Sequence, residues 1–451
     1  MIWHTIRFAT SVFPVFSGLT LVLALPAQAM TPSEALERAI KHDPLIPYSW
    51  ALYAADKEMG SQVKGNLRPS ISLDGSYTNT NSESQSQFFG TFDESYEGNA
   101  YGVSARQALY RYDWSARNKH AEALDAEAEI GLLRRKNQYA IRLAERYFGV
   151  LNAQDALALA ESEAKAIGES LADTRKRHEV GLVPGTDLKE AQARDDLAKA
   201  RLILARQQVT SAQDALDETT GNGRVQLPSL PADTALPALQ PADIQAWVSK
   251  AMQNNPDVRQ AREELEIAKA KLKTAKADLL PSLDAVASYR EEDSSDSRVG
   301  SERSDTRIGL ELTVPIYQGG INRARSRESI ARVDAAEANL RRWQGEVERL
   351  VRQQYRELEA AYAQERALSL AVTSAKAAAE ATQYGYKAGT RTITDVLNAR
   401  SGLISAQRDF SNTRYDLLLG LLQLKQLTAE LEKADFVALD GLLRMPEEAA
   451  E

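Results

Sequence analysis

The stretch PSISLDGSY at positions 69–77 returns 212 positions later as PSLDAVASY at positions 281–289. Both copies begin with Pro-Ser and end with Ser-Tyr, and an apolar residue or glycine occupies every second position between them. Alternation with period two is typical of a β-strand with one apolar face. The chain therefore contains two copies of a strand-forming segment, and we expect each copy to belong to a larger repeated unit.

The repetition extends over most of the chain. Further matched pairs are Ala39 and Ala251, Pro44 and Pro256, Tyr110 and Tyr317, Gly181 and Gly389, Thr186 and Thr394, and Asp187 and Asp395. Each predicted unit, 30–227 or 243–433, holds a helical stretch, two candidate strands and a long helical hairpin. Neighbouring units of this kind bury their apolar faces on each other.

The candidate strands lie in pairs, one pair in each unit. They cover about residues 69–85 and 96–110 in the first unit, and about 281–292 and 304–317 in the second. The polar stretches 79–98 and 290–307 are rich in Ser, Asp and Glu. We expect exposed loops there.

The helical hairpins are predicted at 113–219 and 321–433. No proline interrupts residues 114–178, and a single helix of that length would measure on the order of 100 Å. Leu340, Trp343, Val347 and Leu350 follow the spacing of a coiled-coil seam, although an amphipathic core helix has a similar pattern. Both return helices are shorter than their partners, so the helices at 44–67 and 256–280 could stack end to end with them and complete a cylinder of paired helices.

Three further segments frame these units. Residues 1–29 resemble a cleaved secretory signal, with Arg7, an apolar core and the small-residue site Ala27-Gln28-Ala29; a membrane anchor is the alternative. Residues 228–242 carry four prolines and are predicted to be a linker on the outside of the cylinder. The tail, 434–451, shows no strong pattern, and we expect it to be partly disordered.

Composition excludes several classes of function. The chain has no cysteine, so disulfides and thiolate metal sites are excluded. Without the signal, which carries only Arg7, 54 basic and 63 acidic residues leave a net charge of −9, which argues against nucleic acid as a partner. The histidines are scattered, and the carboxylates lie on helix faces beside Lys and Arg. We therefore predict no metal site, no cofactor and no enzymatic activity.

Membrane crossing, if it occurs, must use strands. Beyond the signal no apolar run approaches the roughly 18 residues that a spanning helix needs. Four strands cannot close a barrel in lipid, where an open edge leaves backbone groups unsatisfied. A homotrimer with twelve strands is the simplest closure. The predicted fold is therefore an α+β membrane protein whose β-barrel continues into a long α-helical barrel.

Four motifs resemble the TolC family of outer membrane channel-tunnel proteins. They are Asn254-Asn255-Pro256, Leu279-Leu280-Pro281-Ser282, VPIYQGG at 314–320 and YKAGTRTITDVL at 386–397. The similarity covers nearly the whole mature chain. It implies a trimer with a twelve-stranded barrel in outer membrane lipid and a helical barrel in the periplasm.

The resemblance also implies a function. Such a channel is the exit duct of an inner-membrane ABC or RND pump, which it reaches through a periplasmic adaptor. Type I protein secretion is favoured over multidrug efflux, because the tip motif is similar to TolC and no lipid-anchor cysteine is present. A periplasmic coiled-coil adaptor is the alternative of another class, but an adaptor needs no strands with a lipid-facing side.

Candidate functional residues lie at the hairpin tips. Asp395 and Asn398 share a helix face and could line a ring on a threefold axis, although Asp395 could instead only cap its helix. By resemblance, Asp395 matches the first aspartate ring of the family entrance, and Asn398 stands where a second aspartate is found. Asp187, Tyr386 and Arg391 match the latch that holds the entrance closed, with a solvent-facing Arg391 as the alternative. The predicted tip turns contain Gly181, Gly185, Gly389 and Thr390.

Overall fold

A computed structural model of the protein describes residues 29–86, 90–221, 223, 225–294 and 301–444. The predicted signal, apart from Ala29, and the acidic end of the tail lie outside the described residues. In chain order the elements are α1 (Pro32–His42), α2 (Leu45–Gly65), β1 (Ser70–Ser86), β2 (Gly90–Tyr110), α3 (Trp114–Glu179), α4 (Gly185–Thr220), α5 (Ile244–Asn254), α6 (Pro256–Ala277), β3 (Ser282–Ser294), β4 (Ser301–Thr313), α7 (Ile321–Lys387), α8 (Ile393–Leu427) and α9 (Lys433–Asp440).

The four strands form one antiparallel sheet in the order β1-β2-β3-β4. The polar stretches predicted as loops are largely strand, because β1 and β2 stay paired from Ser70 opposite Arg106 to Ser86 opposite Gly90. That prediction was wrong in extent, since backbone pairing continues wherever a partner strand runs alongside, whatever the side-chain polarity. At its other end β4 stops at Thr313, short of the predicted residue 317, where Pro315 cannot donate to the ladder.

The sheet has one apolar and one polar face. Ile71, Leu73, Ile308 and Leu310 lie on the apolar face, and each is at least two-thirds exposed in the single chain. On the other face, Ser72 and Ser104 share a hydrogen bond of 2.8 Å. Exposed apolar area of this extent marks a surface that another protein or lipid covers.

Each long helix pairs with two shorter helices along different parts of its length. Lys64 of α2 forms an ion pair with Asp125 near the start of α3, whereas Arg201 of α4 reaches Glu163 nearer its end. In the second unit, α6 and α8 both pack against α7. The helices therefore stack as the length argument predicts. Within the described residues, no helix combines the length and the apolarity that bilayer crossing demands.

The main core lies where α1 and α9 pack on the middle of α3 and the C-terminal half of α8. Tyr147 of α3 is 2% exposed, and its hydroxyl donates a hydrogen bond of 2.8 Å to the carbonyl of Met30. Phe436 of α9 is buried in the same core. Part of the predicted disordered tail is therefore an ordered helix; α9 is only eight residues long, too short for its apolar spacing to stand out in the sequence.

The proline-rich linker is held against α7 and α8 by side-chain hydrogen bonds to its backbone carbonyls. The guanidinium of Arg414, on α8, is buried and donates hydrogen bonds of 2.7 Å to the carbonyls of Pro231 and Thr234. The hydroxyls of Tyr355 and Tyr362, on α7, donate to other linker carbonyls. The linker, α1, α5 and α9 thus pack on the outer sides of α3, α7 and α8.

We expect protonation of Glu127 on α3 to stabilise the fold. Partial burial, with the carboxylates of Glu264 and Glu263 on α6 adding to it, raises the pKa of Glu127 to about 6. Because this pKa lies above that of an unfolded chain, the stabilisation is complete only below about pH 4.5 and is lost as the pH rises through 6. Glu127→Gln should therefore raise the free energy of unfolding by about 1 kcal/mol at pH 7.5, after discounting for solvent screening, and by almost nothing at pH 4.5.

The melting temperature at the two pH values measures this effect. Glu129→Gln is the matched control, because Glu129 is exposed and loosely paired with Lys57 at 3.9 Å. An equal shift of the melting temperature at both pH values would contradict the role of Glu127.

Candidate channel entrance

Both helical hairpins turn in the same way at their tips. Gly181 and Gly389 follow α3 and α7 with φ of +74° and +76°, a conformation that glycine adopts without steric cost. The next amide in each turn donates to the carbonyl five residues back, from Leu182 to Arg177 at 2.8 Å and from Thr390 to Gly385 at 2.9 Å. The sequence repeat is therefore a repeat of backbone geometry. The predicted turn residue Gly185 instead begins α4.

The start of α8 is fixed by a reciprocal pair of hydrogen bonds. The Asp395 amide donates to Oγ1 of Thr392 at 3.2 Å, and the Thr392 amide donates to Oδ2 of Asp395 at 3.0 Å. These bonds from Thr392, with a smaller contribution from Arg391, hold the pKa of Asp395 below its usual value. Asp395 thus caps its helix within the protomer, and its Oδ1 accepts no hydrogen bond from the described residues.

Beyond the packing of α3 on α8, side chains of α4 and α8 link the two hairpins near their tips. Glu190 of α4 accepts a hydrogen bond of 3.2 Å from the hydroxyl of Thr394, and Arg194 donates one of 3.2 Å to the amide oxygen of Asn398. Glu190 and Arg194 also pair with each other at 3.4 Å. Asn398 is therefore held against α4. Sequence reasoning missed Glu190 and Arg194, although their spacing of four on one helix was a usable signal.

A small apolar cluster lies behind these polar contacts. Ile167 of α3 and Ala198 of α4 pack against Ile393 and Leu397 of α8, with Tyr386 at the edge. The guanidinium of Arg177 lies 4.8 Å from the ring centre of Tyr386, a cation–π contact that no sequence pattern indicates. The hydroxyl of Tyr386 is buried and has no hydrogen-bond partner among the described residues.

The other two predicted latch residues do not meet Tyr386 within the protomer. Arg391 is exposed, its aliphatic stem lies close to Gly385, and its guanidinium forms no ion pair among the described residues. Asp187 lies in the first turn of α4, where it accepts a long hydrogen bond of 3.4 Å from Thr186. The guanidinium of Arg391 is thus available to groups outside the protomer, whereas the hydroxyl of Tyr386 is enclosed within it.

No group of three or more metal-binding side chains occurs in the part of the chain that the structure describes. The polar groups instead link helices that belong to different hairpins. Such an arrangement can hold two hairpins together or release them.

The chain matches a protein family and individual relatives over most of its length. The model of the family described as outer membrane efflux protein matches residues 35–222 and 247–430, one match in each repeat. The chain is 30% identical to outer membrane protein TolC of Vibrio cholerae, over 96% of this chain and 98% of the relative. It is 27% identical to the alkaline protease secretion protein AprF of Pseudomonas aeruginosa, over 93% of this chain and 89% of the relative.

The fold is also similar to a solved outer membrane protein. The crystal structure of VceC from Vibrio cholerae matches with a TM-score of 0.73 and 18% identity, over 88% of this chain and 96% of that one. The family resemblance and the α+β fold with two repeated halves, both predicted from the sequence, are confirmed.

Proposed function

Because the chain belongs to the outer membrane efflux protein family, we propose that three copies of it form a continuous duct across the outer membrane and the periplasm. It is an outer membrane transport protein with a periplasmic extension, and it is not an enzyme. The assembly into a trimer, the twelve-stranded barrel and the entrance at the hairpin tips are the proposed steps.

The observation that carries the proposal is the four-stranded sheet with two free edges. Within the chain, β1 and β4 each pair on one side only, and the apolar side chains on one face are exposed. In lipid an unpaired edge costs several kcal/mol for each unsatisfied backbone group, so the edges must pair with other copies. Three copies supply twelve strands, an even number in the range of known barrels.

Within this role we propose type I protein secretion, with an ABC transporter and a periplasmic adaptor as partners. The proposal of type I secretion is supported by the similarity to a protease secretion protein over 93% of the chain. Drug efflux with an RND pump is the second candidate, supported by the description of the matching family.

A deletion strain distinguishes the two uses. Loss of a secreted protein from the medium, with unchanged drug sensitivity, supports secretion; the reverse result supports efflux. Purified protein should run as a detergent-dependent, heat-modifiable trimer from the outer membrane fraction. A stable, soluble periplasmic monomer would contradict the duct and favour the adaptor alternative.

We expect Asp395 to make the entrance bind cations. In a trimer, Oδ1 of the three Asp395 carboxylates could form a ring, because capping occupies only the other oxygen. Since the pKa of Asp395 is lowered, block of the channel by divalent cations should be constant from pH 8 to about pH 5 and should fade only below the usual aspartate value. Asp395→Asn should weaken that block at least tenfold in planar bilayers.

The matched control is Asp409→Asn, an exposed carboxylate further along α8. Undiminished block in Asp395→Asn would place the cation site elsewhere. An equal loss of block in both variants would mean that the net charge of the channel, and not Asp395 itself, determines cation binding.

A further inference from the structure

A band of exposed cations lies on the helices immediately next to the sheet. We define the basic collar by five residues: Lys119 of α3, Lys273 and Lys276 of α6, and Arg323 and Arg327 of α7. α6 ends one residue after Lys276, and α7 begins two residues before Arg323. At 1.5 Å per residue, Arg327 lies only about 9 Å along α7 from the helix start.

Three collar residues, Lys119, Arg323 and Arg327, share the face of the helical layer that carries the linker and α1. Arg323 and Arg327 are four heptads from Val351 and Tyr355, and Tyr355 contacts the linker. Lys119 is likewise four heptads from Tyr147, which packs on α1. Residues whole heptads apart lie on one side of a supercoiled helix. If the opposite face lines the duct, the collar faces outward.

Most of the collar has no internal counter-charge. Lys119, Lys276, Arg323 and Arg327 are exposed and form no ion pair with any described residue, and Lys273 donates only to the hydroxyl of Ser115, at 2.8 Å. Of the neighbouring carboxylates, Glu266 pairs with Lys269, and Glu328 with Arg332. In a chain of net charge −8, unpaired cations at one level indicate an anionic partner outside the chain.

Aromatic residues at the strand ends indicate how far the basic collar lies from the lipid. Tyr110, Tyr112 and Tyr317 lie between the strand ends and the helices, and each is more than half exposed. Trp114, the first residue of α3, is 37% exposed. Tyr and Trp at such positions are typical of the membrane–water interface. The collar begins within one or two helical turns of this band, where long Lys and Arg side chains can reach lipid headgroups.

We propose that the basic collar binds the phosphates of anionic phospholipids in the leaflet that faces the periplasm. The inference rests on the proposed function, which places the sheet in the membrane and the collar on the outer face. A trimer would present a closed ring of cations to that leaflet. Such a ring would fix the depth of the barrel and enrich anionic lipid around it.

Trp114 is a built-in probe for this binding. Trp50, Trp247 and Trp343 lie well away from the sheet; Trp343 is about 33 Å along α7 from its start. Lipids with brominated acyl chains quench tryptophan on contact, so they report on Trp114. The trimer is reconstituted in phosphatidylcholine with a minor fraction of brominated phosphatidylglycerol, and in the reverse mixture, to give the relative binding constant of the two headgroups.

We expect about a fivefold preference for phosphatidylglycerol, which should disappear near 1 M salt. Replacement of Lys119, Lys276, Arg323 and Arg327 by Gln should reduce the preference to near unity. The control carries the same charge change at four exposed, unpaired cations further along α7: Arg341, Arg356, Arg366 and Lys376.

The other possible results of this experiment would overturn the proposal that the collar binds anionic lipid. Equal quenching by the two lipids in the unmodified protein, or an unchanged preference in the collar variant, overturns the proposal. Loss of binding to peptidoglycan sacculi by the collar variant, with its lipid preference intact, would assign the collar to that polymer instead. If no brominated lipid quenches Trp114, the membrane placement itself fails, and the proposed function fails with it.

Discussion

Arg391→Ala and Asp187→Ala are each expected to raise the single-channel conductance of the purified trimer severalfold in planar bilayers. Arg391 has no ion-pair partner among the described residues, and the buried hydroxyl of Tyr386 has no hydrogen bond there. An exposed guanidinium can form charge-assisted hydrogen bonds with a neighbouring protomer, so a closed entrance that supplied such a partner to Arg391 would be favoured. Removal of one charge-assisted hydrogen bond per protomer would change the equilibrium constant between the closed and open entrance by about tenfold in favour of the open state.

Two controls test whether the guanidinium itself is responsible. Arg391→Lys keeps the charge but loses the planar fork, so it should give an intermediate conductance. Lys387→Ala removes an exposed cation from the last turn of α7 and should leave the conductance unchanged. Unchanged conductance in both Arg391→Ala and Asp187→Ala would refute the latch. An equal rise in Lys387→Ala would attribute the effect to net charge.

The repeat and the helix periodicity predicted the fold because they follow from local rules. The glycines at the tips occupy equivalent positions with positive φ, and long stretches without proline became α3 and α7. Strand length was not predictable in the same way. Apolar alternation marks only the part of a strand whose side chains need a nonpolar neighbour, whereas the pairing of Asn79 with Glu97 depends on the partner strand alone.

The candidate site was predictable only where it is local. Thr392 and Asp395 are three residues apart, so their reciprocal cap can be anticipated from the sequence. Arg194 and Asn398 are 204 positions apart, and their contact depends on how two hairpins pack side by side. The orientation of the Arg177 guanidinium over the ring of Tyr386 is likewise a result of tertiary packing.

The contact between α4 and α8 leads to the prediction with the largest effect on transport. If the entrance opens when α7 and α8 move away from α3 and α4, a covalent link between the hairpins should hold it shut. Glu190 and Thr394 are suitable positions, since their side-chain oxygens are 3.2 Å apart. The chain has no native cysteine, so a bifunctional reagent that joins thiols through reducible disulfides would react only with Glu190→Cys and Thr394→Cys.

We expect the linked protein to lose at least nine-tenths of its export activity and to recover it when the link is reduced. The double-cysteine protein without reagent should export normally, which excludes an effect of the substitutions alone. Ser229→Cys with Arg444→Cys is the matched control, because these residues exchange backbone hydrogen bonds of 2.9 Å and lie outside the four helices of the two hairpins. Full export by a protein shown to be completely linked between Glu190→Cys and Thr394→Cys would mean that opening does not separate α8 from α4, so the movement would have to occur between protomers instead.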